Sequence, residues 1–203
     1  MSQSARVDLP RVSPIVLASR AQPFSGAEWL FEPKYDGFRG VFYLSRSGCA
    51  MFSRRGNHFG RFGELCRRIR LELPRREVIL DGEVVAIDGS GRVDFYGLMR
   101  GEGHLAYAAF DLLWLNGRDL RPLPLAERKK RLARLIAGQG DTLIRVPSFG
   151  EHGRELFQAA CQLDLEGIVA KRKQDPYSPE TGWYKIKNPM YTQAEGRGEL
   201  FER

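Results

Sequence analysis

The alternation of apolar and polar residues divides the chain into short strands and amphipathic helices. Segments rich in aromatic and β-branched residues, several with a period of two, are typical of strands. They predict strands at 28–32, 38–44, 49–54, 78–88, 106–115, 142–149, 167–171 and 183–187. Apolar residues at helical spacing predict helices at 62–73, 125–137 and 151–163. Periodicity alone therefore indicates a mixed α and β protein.

Two glycine-containing dipeptides mark predicted turns. Asp36-Gly37 lies between the first two predicted strands and predicts a hairpin. Asn116-Gly117 follows the strand at 106–115 and predicts a second hairpin. The predicted division of the chain is an extended lead-in at 1–26, whose apolar stretch 15–18 packs across the domain, one domain at 27–190 and a short tail at 191–203.

The helix at 125–137 is amphipathic and strongly basic. Its leucines and isoleucine share one side, and its lysines and arginines are expected on the opposite side, open to solvent. The helix at 62–73 follows the same pattern and has arginines opposite its apolar residues. We expect both to be surface helices whose basic faces meet water or nucleic acid.

Composition narrows the class of protein. The net charge of +7 and the pI near 9.5 favour a polyanionic partner, since clustered cations release counterions from a phosphate backbone. Three widely spaced cysteines and three histidines show neither a disulfide framework nor zinc-ligand spacing. The N-terminus lacks an apolar signal core and no long apolar run occurs. We expect a cytoplasmic protein without a membrane span.

The stretch 31–39 (FEPKYDGFR) carries the strongest chemical signal. If the strand continues through Glu32 to Lys34, both side chains leave the same face roughly 7 Å apart. That spacing suits one side chain at a base and the other at a phosphate. A deprotonated lysine amine can attack a phosphorus atom, so Lys34 is the predicted nucleophile.

Lys34-x-Asp36-Gly37-x-Arg39 resembles motif I of the covalent nucleotidyl transferases, which comprise ATP-dependent DNA ligases, RNA ligases and capping guanylyltransferases. Ser53-Arg54-Arg55-Gly56 resembles the Ser-Arg-x-Gly segment that follows motif I in DNA ligases. Further segments resemble later motifs in the family's order: 81–83 motif III, 106–115 motif IIIa, 166–171 motif IV and 183–187 motif V. Together they are similar to the adenylation domain of ATP-dependent DNA ligases, in particular the ligase part of bacterial ligase D and its short stand-alone relatives.

The resemblance implies a role for each matched residue. Glu32 reads the adenine amino group, Arg39 lies at the ribose, Phe110 stacks on the purine, and Asp36 orients Lys34 or a metal-bound water. The metal ligands are Glu83 and Glu166, and Glu83 also lies near the ribose. Phosphates or nucleic acid contact Arg54, Lys171, Lys185 and Lys187, the last two of which are placed with Lys34 and Asp36 in the catalytic set.

The resemblance also implies an ATP-grasp-like α+β fold of antiparallel sheets flanked by helices, with the nucleotide between the sheets. The expected cofactors are ATP and Mg²⁺, with Mn²⁺ as a substitute. The expected substrate is nicked or broken duplex DNA in repair or recombination. Family ligases continue after motif V into an OB-fold domain, whereas 16 residues follow Lys187. Two explanations are open: a separately supplied OB-fold or end-joining protein completes sealing, or the protein is a reduced ligase.

Two other readings of the chain remain open at this stage. An RNA ligase or capping enzyme shares motif I and differs in its substrate. A non-catalytic nucleic-acid-binding module would explain the basic composition. Joint retention of Lys34, Glu83, Glu166, Lys185 and Lys187 favours an enzyme.

Overall fold

The computed structural model describes residues 8–74, 76–138 and 140–194. Most of the predicted tail at 191–203 lies outside these residues. The described strands are β1 (Ala18–Ser19), β2 (Gly26–Pro33), β3 (Phe38–Ser45), β4 (Gly48–Ser53), β5 (Val78–Ile87), β6 (His104–Leu115), β7 (Arg118–Asp119), β8 (Leu143–Arg145), β9 (Phe149–Glu151), β10 (Gly167–Arg172) and β11 (Tyr184–Lys187). The described helices are α1 (Gly63–Glu72), α2 (Phe95–Arg100), α3 (Leu125–Ile136) and α4 (Gly153–Gln162).

The strands form two sheets. The five-stranded sheet has the order β1-β11-β10-β2-β9, and the six-stranded sheet has the order β4-β3-β5-β6-β7, with β8 paired to β6. Pairing is antiparallel except between β1 and β11 and between β6 and β8, which are parallel. The predicted mixed fold is confirmed, and these two short pairs depart from the expected all-antiparallel arrangement.

Asp36-Gly37 does not form the predicted hairpin, because β2 and β3 belong to different sheets. The dipeptide lies where the chain crosses between them, and a Cβ atom on Gly37 would lie 2.0 Å from the carbonyl oxygen of Val84. The predicted strand at 142–149 likewise divides into β8 and β9, one in each sheet. Asn116-Gly117 does form its predicted hairpin between β6 and β7, with φ angles of 47° and 85°.

Helices cover the outer faces of both sheets. The apolar residues of α1 and Leu98 of α2 pack with the six-stranded sheet, and Ala160 of α4 packs with Phe31 and Ile168 of the five-stranded sheet. Between the sheets, Ile15 from the lead-in is fully buried and shares a cluster with Trp183. The prediction that the 15–18 stretch packs across the domain is confirmed for Ile15. No helix in the described ranges is both long and apolar enough to cross a bilayer.

The third helix differs from the predicted surface helix. Arg128 and Lys129 of α3 are buried rather than solvated. The first turn of α3 donates two hydrogen bonds to the segment after β10. Ala126 N donates to Lys173 O and Leu125 N to Asp175 O, both at 3.0 Å. Since α3 also packs on β6, it joins the two sheets along one side of the cleft between them.

Candidate active site

A cleft lies between the two sheets. Its walls combine apolar side chains with a few charged ones, as is usual in small-molecule sites. The lining residues are Leu17, Glu32, Pro33, Lys34, Tyr35, Arg39, Glu83, Phe110, Val146, Val169, Lys171 and Trp183. Each sheet therefore contributes predicted nucleotide-binding residues to one cavity.

Lys34 lies directly after β2 and contacts the start of β10. Its backbone nitrogen donates to Gly167 O at 2.9 Å, and its ammonium forms an ion pair with Glu166 Oε2. Glu166 Oε1 also lies 3.6 Å from Lys187 Nζ. Lys34 keeps 21% of its side chain exposed and Lys187 keeps 62%, so both amines remain accessible to a ligand. The structure thus joins the predicted nucleophile to residues of motifs IV and V.

Glu32 is almost fully buried and lies among cations. Lys171 Nζ donates to its Oε2 at 2.7 Å, Ser148 Oγ donates to its Oε1 at 2.9 Å, and Lys129 forms an ion pair with Oε1. Burial alone would raise the pKa of Glu32, but the two lysines hold that pKa below its ordinary value. Glu32 is therefore an ionised acceptor at the cleft wall.

Lys171 connects Glu32 to two aromatic rings. Its Nζ lies 4.4 Å from the ring centroid of Phe110 and 4.7 Å from that of Trp183. Phe110 is half-buried in a strand whose central residues are otherwise buried, and its ring lines the cleft. This position is compatible with the predicted stacking on a purine.

Arg39 is held by the buried carboxylate of Asp81. Its Nε donates to Oδ1 at 3.1 Å and its Nη2 to Oδ2 at 2.7 Å, and Tyr177 Oη donates to Oδ2 at 2.6 Å. Burial opposes the charged form of Arg39, but Asp81 raises its pKa above the ordinary value. Within the motif III segment 81–83, Asp81 therefore pairs with an arginine, while Arg39 still lines the cleft.

The pKa of Glu83 is strongly shifted. Burial is the main cause that raises it, to about 8, with Lys34 and Arg39 lowering it and Glu166 and Asp81 also raising it. No group of three or more metal-ligating side chains occurs within the described part of the chain. Mg²⁺ commonly takes only one or two carboxylates and completes its shell with phosphate oxygens and water. The pair Glu83 and Glu166 fits such an ion.

Three predicted site residues are not among those that line the cleft. Arg54 is exposed on the turn after the edge strand β4 and lines a separate groove with Arg11, and its predicted contact with phosphate or nucleic acid stays a prediction. Asp36 is buried and accepts a hydrogen bond from Tyr191 Oη at 2.8 Å. Lys185 is half-buried on β11, opposite Val169, which in turn lies opposite Glu32.

A family model described as the ATP dependent DNA ligase domain matches residues 16–187. The chain belongs to this family. It is 32% identical over 180 residues to the multifunctional non-homologous end joining protein LigD of Pseudomonas aeruginosa, covering 84% of this chain and 21% of that protein. It is 30% identical over 193 residues to the SPbeta prophage-derived DNA ligase-like protein LigB of Bacillus subtilis, covering 90% and 70% respectively.

Solved structures show the same relationship. The ligase domain of LigD from M. tuberculosis matches with a TM-score of 0.76 and 27% identity over 86% of this chain and 59% of that one. A mycobacterial DNA ligase D complexed with ATP and MES matches with a TM-score of 0.77 and 26% identity, over 86% and 60%. The chain spans about a fifth of the full LigD proteins. It corresponds to the adenylation core of these ligases.

Within this ligase core, sequence reasoning missed the contribution of α3. Lys129 contacts Glu32, and Arg128 donates from Nε and Nη2 to the two oxygens of buried Asp111 at 2.8 and 2.9 Å. The signal was present in the spacing, since these residues follow Leu125 by three and four positions and therefore share its stripe. Ser148, on the segment between β8 and β9, had no comparable signal.

Proposed function

We propose that this chain forms a covalent lysyl-AMP intermediate on Lys34 and transfers the AMP to the 5′-phosphate of a nicked or broken duplex DNA. The observation that carries the proposal is the contact of Glu166 with Lys34, which lines a cleft between the two sheets. The relatives are named as DNA ligases and end-joining proteins, and the net charge of +7 suits a polyanionic substrate.

In the first step, Lys34 Nζ forms a bond to the α-phosphorus of ATP, and the bond to pyrophosphate breaks. Glu166 Oε2 holds the ammonium proton that must leave before this nitrogen can attack. Lys187, beside Glu166, adds positive charge near the transferring phosphate. Mg²⁺, which Glu83 and Glu166 would hold together with phosphate oxygens, supplies further charge stabilisation when bound.

The later steps reuse the same cleft. An oxygen of the DNA 5′-phosphate attacks the phosphorus of the lysyl-AMP, and the bond to Lys34 breaks as its nitrogen regains a proton. A DNA 3′-hydroxyl then attacks the activated 5′-phosphate, and AMP leaves. Throughout, Phe110 stacks on the adenine, Glu32 accepts from its amino group and Arg39 faces the ribose, so the AMP stays in place while the phosphate bonds exchange.

Intact-mass spectrometry tests the first step. Incubation with ATP and a divalent cation should add one adenylyl group, which peptide mapping should place on Lys34. Lys34→Ala should lack the adduct, whereas Lys130→Ala, which alters an exposed lysine of α3, should retain it. An adduct that survives Lys34→Ala, or no adduct in the unmodified chain, would overturn the proposal.

A chase tests the substrate. Adenylylated protein mixed with a 5′-phosphorylated DNA nick should lose its adduct as AMP appears on the DNA. Equal or faster transfer to an RNA nick would instead favour the RNA ligase alternative.

A further inference from the structure

The charged groups around Glu32 come from two elements. Lys171 belongs to β10, which pairs with β2. Lys129 belongs to α3, a helix whose basic residues were predicted to face solvent, and it contacts Glu32. Lys129 is buried and is not among the residues that line the cleft. It is therefore placed behind Glu32, where it touches the carboxylate without taking the place of a ligand.

The geometry leaves Glu32 one acceptor position for a ligand. A carboxylate has about four lone-pair directions. Ser148 donates to Oε1, against which the Lys129 ammonium also lies, and Lys171 donates to Oε2, so the open acceptor position is on Oε2. In the same place on a purine ring, adenine presents an amino donor and guanine a carbonyl acceptor. An ionised carboxylate with one free acceptor position suits adenine and repels guanine.

We propose that Lys129 is a specificity-determining positioning residue that keeps Glu32 an ionised, fixed acceptor and thereby makes the cleft select adenine over guanine. The inference rests on the proposed function, in which Glu32 meets the base. Lys129 acts only through Glu32 and does not touch the nucleotide.

Loss of Lys129 would change what Glu32 offers. With one of its two cations gone, Lys171 alone would oppose the effect of burial, and the pKa of Glu32 would rise. The neutral acid carries an O–H that can donate to the guanine carbonyl. Lys171 remains as the second charged partner, so the change is a relaxed choice of base rather than a loss of nucleotide binding.

The test compares adduct formation with ATP and with GTP across about pH 6 to pH 8. The unmodified chain should prefer ATP by several orders of magnitude, on the order of 10⁴-fold. Lys129→Met should lower that ratio about tenfold or more, most strongly at the acidic end, where Glu32 would gain its proton. Lys129→Arg should restore the ratio, and the exposed neighbour variant Lys130→Met should leave it unchanged.

A second comparison shows whether the effect passes through Glu32. In a Glu32→Gln background the base preference should already be low, and adding Lys129→Met should change it no further. The double variant removes Lys129 together with the charge of Glu32, and the Lys171 ammonium keeps its contacts with the Phe110 and Trp183 rings, so it gives a second reading of the Lys129 effect beside Lys129→Met alone. An unchanged ATP preference in Lys129→Met, or an added effect in the Glu32→Gln background, would overturn the inference.

Equilibrium binding separates this inference from the covalent chemistry. ATP and GTP dissociation constants in Lys34→Ala should show the same preference, and Lys34→Ala/Lys129→Met should show its loss. This measurement stands even where no lysyl-AMP forms. Preference for ATP that persists in the double variant would count against Lys129 alone, and a missing adduct in the unmodified chain would count against Lys34 alone.

Discussion

Two ion pairs of this ligase domain, Arg128 with Asp111 and Lys34 with Glu166, differ in burial and in role. Arg128 and Asp111 are both fully buried and joined by two hydrogen bonds, and Arg128 Nη1 also donates to the carbonyl oxygens of Leu123 and Asp175. Lys34 and Glu166 are joined by one contact, and Lys34 keeps 21% of its side chain exposed. Arg128 makes four hydrogen bonds to protein acceptors, whereas Lys34 leaves room for a ligand.

The difference follows from the residue types. An arginine stays protonated at any accessible pH and its planar fork matches a carboxylate, so it suits a permanent buried pair. A lysine can lose its proton and act as a nucleophile. The arginine pairs, including Arg39 with Asp81, therefore connect elements, and the accessible lysines Lys34 and Lys187 remain available for chemistry.

The largest effect on folding is expected from Arg128→Met. It would leave Asp111 charged and unpaired at 0% exposure, which costs about 3–5 kcal/mol of unfolding free energy. Urea unfolding followed by circular dichroism measures the loss. Lys130→Met on the exposed face of α3 should stay within about 0.5 kcal/mol. A loss below about 1 kcal/mol in Arg128→Met would show that this pair does not hold α3 in place.

Lys187→Met should have the opposite effect, with little change in stability and a large fall in the rate of adduct formation. Its amine is 62% exposed and makes one long contact with Glu166, so unfolding free energy should fall by less than about 1 kcal/mol. The rate of adduct formation should fall about 10²–10³-fold, the usual cost of removing one group that stabilises developing charge. Single-turnover mass spectrometry measures the rate. A stable variant with an unchanged rate would remove Lys187 from the chemistry.

The sequence predicted several of the residues and elements in this comparison. Motif resemblance predicted that Lys34 and Glu166 share a site, although 132 positions separate them and no local pattern predicts the pairing of β2 with β10. The amphipathic pattern predicted α1 and its buried face. Strand propensity predicted β2 and β3 but assigned Asp36-Gly37 to a hairpin, because a turn signal does not say whether the next strand joins the same sheet.

The burial of Arg128 and Lys129 in α3 was the main feature that the sequence did not predict. Lysine and arginine are rarely buried, so a basic residue on an apolar stripe was assigned to the solvated face. Their partners lie on two different strands, Glu32 on β2 and Asp111 on β6, and the pairing depends on how α3 lies across both sheets. Helical spacing places Arg128 and Lys129 on the apolar side of α3, but only the tertiary structure shows which carboxylates they contact.

Lys129 provides a prediction about pH that the arginine pair lacks. Burial is the main cause that lowers its pKa, to about 8, with Glu32 raising it and Lys171 lowering it, whereas the unfolded chain has the ordinary value near 10.5. Between these values the unfolded state binds more protons, so this group makes unfolding free energy rise with pH, by up to about 1.4 kcal/mol per unit. Below about pH 8 both states are protonated and the contribution is constant.

Unfolding midpoints measured between about pH 7 and pH 10, compared with those of Lys129→Arg, isolate this contribution, because arginine does not titrate in this range. The unmodified chain should gain stability relative to the variant as pH rises. A flat difference would mean that Lys129 is as protonated when folded as when unfolded.

The smallest effect is expected from Tyr177→Phe, which removes a single donor from the arginine-based network. The Tyr177 hydroxyl donates to Asp81 Oδ2, and burial followed by the neighbouring Asp81 raises its pKa well above the ordinary value, so it remains a donor at neutral pH. Asp81 would keep both hydrogen bonds from Arg39, so no charge is left unpaired and the loss should be about 1 kcal/mol. Adduct formation should not change, since Tyr177 does not line the cleft.

Urea unfolding and single-turnover adduct formation on the same sample measure both quantities. A slower rate at nearly unchanged stability would show that the arginine-based network also sets the reacting geometry, and the division between structural arginines and reactive lysines would then fail.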